Sequence, residues 1–351
     1  MTDILSSVEG SVARLRLDRP KALHALTEEM CLAMSRALLE WRDDPGIEAV
    51  ILDHAEGRGF CAGGDVVMIA RSGAVDGAEA SRFFAAEYRL NHLLFTYPKP
   101  VVAMMDGITM GGGVGIALPC RYRVATENTR FAMPETTIGL FPDVGGGWYL
   151  PRLEARVGQF LALTGARLDG AECKELGLAT HYVESCDLPA LVERIVAAPG
   201  RITGALGAAS AKPPPARIAA NLPAIARLFA SDRLEDILDA LDADGSDWAT
   251  TEAATIRTRS PLSCKVSLRL LAEGALRRDF ESEMAAEHAL ASKIVRTHDF
   301  LEGVRALLID KDNAPHWQPA TPAEVTPAML DALFAPATPG EQWTPFPETI
   351  A

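Results

Sequence analysis

Apolar and polar residues alternate over Ser11–Leu17 (SVARLRL), the pattern of a half-buried strand. Ala49–Leu52 and Val101–Met105 are short apolar runs and predict further strands. Between them the period changes. Met30, Met34, Ala37, Leu38 and Trp41 fall on one helical face, with Thr27 placed as N-cap and Glu28 and Glu29 in the positive first turn. Asp43-Asp44-Pro45-Gly46 stops that helix. Ser81–Phe95 carries Phe83, Phe84, Tyr88 and Phe95 on a helical pattern, with Glu87 inside it. Val157–Leu163 predicts a helix ending at Thr164-Gly165. Asp169 with Glu172 predicts a second helix opened by a capping box, before a short strand at His181-Tyr182-Val183. From there the Ala/Gly/Pro content rises, and 197–215, with Pro213-Pro214-Pro215, reads as a linker. Beyond it the period is helical. Leu234, Ile237, Leu238 and Leu241 share a face, as do Met284, His288, Ala291 and Val295, and Phe300, Val304, Leu307 and Leu308. Ser260-Pro261 opens one of these helices. The expected organisation is therefore an α/β core over 1–196, the linker, a helical region over 216–337, and a Pro/Thr-rich tail over 338–351 that adds little to the core.

Composition narrows the function. Of 351 residues, 48% are hydrophobic and 23% charged, an ordinary globular balance with room for one large core and an appendage. A net charge of −13 argues against nucleic acid or an anionic membrane as partner, while leaving an anionic small ligand to a local basic patch. The six cysteines are scattered without a C-x-x-C pair, which predicts reduced thiols rather than a disulfide or zinc framework. No apolar run is long enough for a bilayer and the N-terminus shows no signal-peptide pattern, so the expected setting is cytoplasmic.

The candidate chemistry lies in two strand–glycine loop–helix units, Gly63-Gly64 after Ala49–Leu52 and Gly111-Gly112-Gly113 after Val101–Met105. One such loop is most simply a tight turn. Two can each offer a backbone N–H to one oxygen, an oxyanion hole. Glu135 and Asp143 follow, without a cation nearby in sequence, ahead of a third cluster at Gly145-Gly146-Gly147. The simpler reading of Glu135 is a surface turn carboxylate after Pro134, and that of Asp143 is an N-cap for the glycine segment. Ile116 stands where a dinucleotide loop needs its last glycine, and G-x-S-x-G, Walker A and H-E-x-x-H patterns are absent.

The segments RPKALHAL (19–26), GRGFCAGGD (57–65), KPVVAMMDGITMGGGVG (99–115) and FAMPETTIGLFPDVGGGWYLPRL (131–153) together resemble the crotonase, or enoyl-CoA hydratase/isomerase, superfamily. The likeness continues through HDFLEGVRALLIDKDNAPHWQPA (298–320) and is strongest to the branch that hydrolyses 3-hydroxyisobutyryl-CoA, an intermediate of valine breakdown. The resemblance implies a spiral of repeated ββα units followed by a helical C-terminal region. It also implies an acyl-CoA substrate and no metal or separate cofactor, coenzyme A being part of the substrate. It places the oxyanion donors at the N–H groups of Gly64 and Gly112 and the reactive carboxylates at Glu135 and Asp143. Substrate contacts fall on Glu87, Lys21, Ala22, Leu23 and Ala62, with Lys21 against a phosphate and the 300–311 segment folded back near the coenzyme A end. Hydratases of the superfamily use two glutamates. The first falls here on Gly115, which has no side chain for acid–base work, and the second on Glu135. Thioester hydrolysis is therefore expected, with Glu135 as nucleophile or general base. A hydratase or isomerase of the same superfamily is the runner-up, and a catalytically silent coenzyme A-binding protein is the alternative from another class. Trimers are common in the superfamily, so a homo-oligomer is a further expectation.

Overall fold

The computed structural model describes residues 3–347. Its strands are β1 (Ile4–Glu9), β2 (Val12–Leu17), β3 (Ala49–His54), β4 (Gly59–Cys61), β5 (Val101–Met105), β6 (Ile108–Met110), β7 (Tyr122–Ala125), β8 (Arg130–Ala132), β9 (Leu168–Asp169) and β10 (His181–Tyr182). They form a six-stranded sheet in the order β1-β2-β3-β5-β7-β10 and a four-stranded sheet in the order β4-β6-β8-β9. Successive strand pairs β3–β4, β5–β6 and β7–β8 each place one strand in each sheet before a helix returns the chain, so the fold is a spiral of ββα turns. Pairing along the spiral is parallel; only β1–β2 and β8–β9 run antiparallel.

The period-2 rule explains how the larger sheet is buried. Leu15, Leu17, Val50, Leu52, Val101, Ala103 and Met105 face the main core, and Val12, Ala49, Ile51, Val102 and Met104 face a second cluster on the opposite side. A parallel sheet covered on both faces needs such near-continuous apolar strands. The second cluster is covered by Leu191, Val192 and Ile195 of one helix (Leu188–Ala197) and by Ile202 and Leu206 of another (Ile202–Ala209). The stretch read as a linker thus contains a helix packed on the sheet. Two buried residues four apart are enough to dock it, and the surrounding Ala and Gly conceal them in sequence.

The caps read at Thr27, Asp169 and Ser260 form, and Asp65 adds another. Thr27 accepts from Met30 N–H, Asp65 from Met68 N–H and Ser260 from Ser263 N–H; Asp169 and Glu172 make the reciprocal capping box. The C-terminal region is helical, including Pro261–Gly274, Phe280–Ile294 and His298–Val304, and its apolar faces join the main core. The tail is also docked. Trp343 is buried and its Nε1 donates to Ala85 O (3.3 Å), while Arg89 Nε donates to Thr344 O (2.9 Å), both on the helix Ala78–Phe95.

Candidate active site

The smaller sheet brings the site together. Parallel pairing sets Cys61 beside Thr109 and Met110 beside Ala132, so the loops leaving β4, β6 and β8 emerge side by side. Gly64, Gly112 and Glu135 each follow the end of their strand within a few residues. The carboxyl ends of parallel strands are where open α/β sheets hold ligands. Leu26 fixes the first loop, its N–H donating to Gly63 O (2.7 Å) and its carbonyl accepting from Asp65 N–H (3.0 Å). Gly112 opens the short helix Gly112–Ala117, so its N–H is a first-turn donor without a helical acceptor. Neither Gly64 N–H nor Gly112 N–H finds an acceptor among the described residues. A Cβ on Gly112 would lie 2.3 Å from Glu87 Oε1, so only glycine lets the backbone come this close to the carboxyl.

A cavity of about 420 Å³ runs from these loops to the surface. Its inner end holds Glu87, Glu135 and Asp143, which are 2%, 5% and 5% exposed. Glu135 lies on a 3-10 turn (Glu135–Ile138) directly after β8. Its Oε1 is 3.3 Å from where a Cβ on Gly111 would sit, and its Oε2 has no hydrogen-bond partner. Glu87 Oε1 is likewise buried and unpartnered. Asp143 Oδ2 accepts from Tyr88 Oη (2.8 Å). Burial, and then the charge of Asp143, raise the proton affinity of both glutamates well above the usual carboxyl range; Glu135 adds to the effect on Glu87. Burial also pushes Asp143 up, but the Tyr88 hydrogen bond opposes it and holds the group at about 6. Of the three carboxyls Asp143 is held lowest, so negative charge in the cluster falls first on it.

The Gly145–Gly147 loop departs from the sequence reading. Asp143 does not cap it. Its N–H groups at Gly145 and Gly147 donate to Glu287 (2.8 and 3.0 Å) from the helix Phe280–Ile294, which frees the Asp143 side chain for Tyr88 and the cavity. Neither Glu135 nor Asp143 is a surface turn carboxylate. The position lacking a glutamate is closed as well as empty: a Cβ on Gly115 would lie 2.5 Å from Val144 Cβ and 3.0 Å from Asn91 Nδ2.

Ala62, Gly64, Gly112, Glu87, Glu135 and Asp143 all line this cavity. Lys21, Ala22 and Leu23 are not among its lining residues. Lys21 is exposed on the turn Pro20–Ala22, and Leu23 touches the site through its carbonyl, which accepts from Ala62 N–H (3.0 Å). Leu307 and Leu308 reach the cavity from the C-terminal region, beside Arg167 and Arg259. Those two arginines are the cations among the lining residues and make no ion pair among the described residues. Arg259 Nη2 donates to Thr164 O (2.6 Å). Tyr88 and Glu287 also escaped sequence reasoning: Tyr88 looked like one more apolar helix position, and nothing near Glu287 points to a loop about 140 residues earlier.

Two adjoining glycine loops with free N–H groups, set over a buried carboxyl on the next turn of a ββα spiral, define a crotonase-type site, and the chain belongs to the enoyl-CoA hydratase/isomerase family, whose sequence profile matches residues 12–334. Among curated proteins it is 42% identical to a protein of Xenopus laevis named "3-hydroxyisobutyryl-CoA hydrolase, mitochondrial", over 93% of this chain and 86% of the relative. It is 40% identical to the Homo sapiens protein of the same name, over 95% and 88%. Among solved structures it resembles one described as a carnitinyl-CoA dehydratase from Mycobacterium thermoresistibile, with TM-score 0.94, 41% identity and 99% of both chains covered. An enoyl-CoA hydratase from Rhodobacter sphaeroides 2.4.1 superposes with TM-score 0.90 at 35% identity, over 97% of this chain and 99% of the other.

Proposed function

We propose that this protein hydrolyses the thioester of 3-hydroxyisobutyryl-CoA to 3-hydroxyisobutyrate and coenzyme A. The observation that carries the reading is the pairing of free Gly64 and Gly112 N–H groups with buried Glu135, next to a position 115 closed by Val144. The two N–H groups hold the thioester oxygen as it gains charge in the tetrahedral state. Once ionised, Glu135 is a strong base for a carboxylate: it either attacks the carbonyl carbon and expels the coenzyme A thiolate, which picks up a proton, leaving a mixed anhydride that water opens, or takes a proton from the water that attacks as the thiolate leaves. Asp143, ionised through its Tyr88 hydrogen bond, accepts from the substrate 3-hydroxyl or orients Glu135 and the water. These groups and water suffice for the reaction, so no metal or further cofactor is part of the proposal. Arg167 and Arg259, which line the cavity, offset the repulsion between an acidic pocket and a polyanionic thioester.

The structural neighbours' descriptions favour a second reading, hydration or dehydration at a double bond. That chemistry in the superfamily uses a second glutamate, and this site has neither the glutamate at Gly115 nor the space for one. The net charge of −13 supports a small-molecule partner over nucleic acid or membrane, and among the described residues no helix is long and apolar enough to cross a membrane. The free cysteines fit a reducing compartment. We propose the cytoplasm as that compartment, although the curated relatives carry "mitochondrial" in their names. The exposed edge strand β1, with Leu5 and Val8 outward, is the surface proposed for self-association.

The test compares two substrates. Free thiol should appear from 3-hydroxyisobutyryl-CoA and disappear with Glu135→Gln, while crotonyl-CoA keeps its double bond. Loss of the double bond without thiol release refutes the hydrolase reading in favour of the hydratase. Binding without either reaction favours a silent coenzyme A-binding protein.

A further inference from the structure

We infer that Glu287 is a positioning residue for Asp143, an inference that rests on the catalytic role proposed above for Asp143. The carboxyl of Glu287 is fully buried and spans the loop that follows Asp143: Oε2 accepts from Gly145 N–H (2.8 Å) and Oε1 from Gly147 N–H (3.0 Å). The loop needs such a hold. Val144 sits at φ 52° and Gly145 at φ 92°, a left-handed pair that a non-glycine residue at 144 adopts only under constraint. The helix this loop opens, Gly146–Tyr149, has no side-chain cap of its own. Glu287 supplies the missing acceptors from another region of the chain.

The neighbouring residue backs the other side of Asp143. His288 packs edge-on against the Tyr88 ring (centroids 6.3 Å apart, planes at 84°), and its Nε2 lies 3.2 Å from Ser81 O on the helix that carries Tyr88. One turn of Phe280–Ile294 therefore fixes both the backbone after Asp143 and the phenol that holds its carboxylate. Val144, which closes the space at Gly115, rides on the same loop. Removing the Glu287 clamp should move Asp143 and Val144 together. A displacement of even 1 Å at a reacting group can cost about a hundredfold in rate.

The variant is Glu287→Gln in the full chain, close in volume, with one acceptor oxygen and an amide that cannot accept the second N–H. We expect kcat for thiol release to fall about tenfold or more with KM within about threefold, because the loop orients a reacting group rather than the coenzyme A handle. Glu287→Asp keeps the carboxyl but is one methylene short of the loop, and serves if the glutamine variant fails to fold; it should show the same split. Glu172→Gln is the control, since Glu172 is also buried and also accepts two backbone N–H groups, from Asp169 (2.9 Å) and Ile218 (3.0 Å), but does not line the cavity; it should lower Tm and leave kcat nearly unchanged. Because Glu287 acts through Asp143, Glu287→Gln added to Asp143→Asn should cost little beyond Asp143→Asn alone. Full additivity, or unchanged kcat in a folded Glu287→Gln, overturns the inference. A crystal structure of Glu287→Gln reads the clamp without any reaction. Residues 143–147 should be displaced, and an unmoved loop overturns the clamp even if the unaltered protein releases no thiol, an outcome that would refute the thioesterase reading separately.

Discussion

Tyr88→Phe isolates the side-chain hydrogen bond that helps keep a buried carboxyl ionisable. Tyr88 is fully buried and its Oη is 2.8 Å from Asp143 Oδ2, so the change removes a single oxygen and leaves the ring packing in place. A hydrogen bond to a charged group contributes ~1.5–3 kcal/mol, and one pKa unit is about 1.4 kcal/mol, so Asp143 should gain ~1–2 units. It now lies at about 6 against a reference of 3.8, raised by burial and restrained by Tyr88. Without the phenol it moves to ~7–8 by the same conversion. If Asp143 must be ionised to accept a proton, the acid limb of kcat against pH moves up by the same amount, carried jointly by the coupled carboxyls. Turnover at pH ~6.5 should drop by roughly three- to twenty-five-fold and recover toward the unaltered level near pH ~9, as expected for an acid limb of this displacement. The assay is initial-rate thiol release with saturating 3-hydroxyisobutyryl-CoA across that range. An unmoved limb, or a uniform loss that alkaline pH does not restore, refutes the role given to Asp143.

Three further predictions follow from the same geometry. Glu135 titrates well above the usual glutamate range in the folded protein, so its contribution to stability is full at low pH and lost as pH rises through that raised value; Glu135→Gln cannot ionise and should gain in Tm over the unaltered protein increasingly above pH ~5, a trend a pH-independent Tm difference would contradict. Gly115→Glu alone should not yield crotonyl-CoA hydration and should destabilise the fold by ~1–3 kcal/mol through overpacking against Val144, as read by denaturant melts; hydration and wild-type stability in the single variant would remove the steric argument against a hydratase. Replacing Arg167 and Arg259 by Met should raise KM by about tenfold or more for the coenzyme A thioester, as loss of charge-assisted phosphate contacts predicts, yet leave KM for the corresponding pantetheine thioester, which lacks the nucleotide phosphates, nearly unchanged. Equal effects on both substrates would place the arginines elsewhere in binding.

Local rules made several parts of this protein legible from sequence. The helix at Glu28–Asp43 with its Thr27 cap, the capping box at Asp169 and the buried strands β3 and β5 depend on neighbours a few residues away, and they formed where the pattern placed them. The glycine loops and Glu135 were visible as residue types whose presence needed a reason. Gly115 was visible as the absence of a side chain where the superfamily's hydratases carry one. What tertiary structure alone decided was proximity. Strands β4, β6 and β8 are three residues each, too short to show a period, yet their parallel register is what sets Gly64, Gly112 and Glu135 beside one another. The ionisation of Asp143 depends on Tyr88 from the helix that closes the first ββα turn, and the shape of its loop depends on Glu287 from the far end of the chain. Hydrogen bonds between residues this distant leave no period and no spacing in a sequence, because the fold, not the chain, fixes the distance between them.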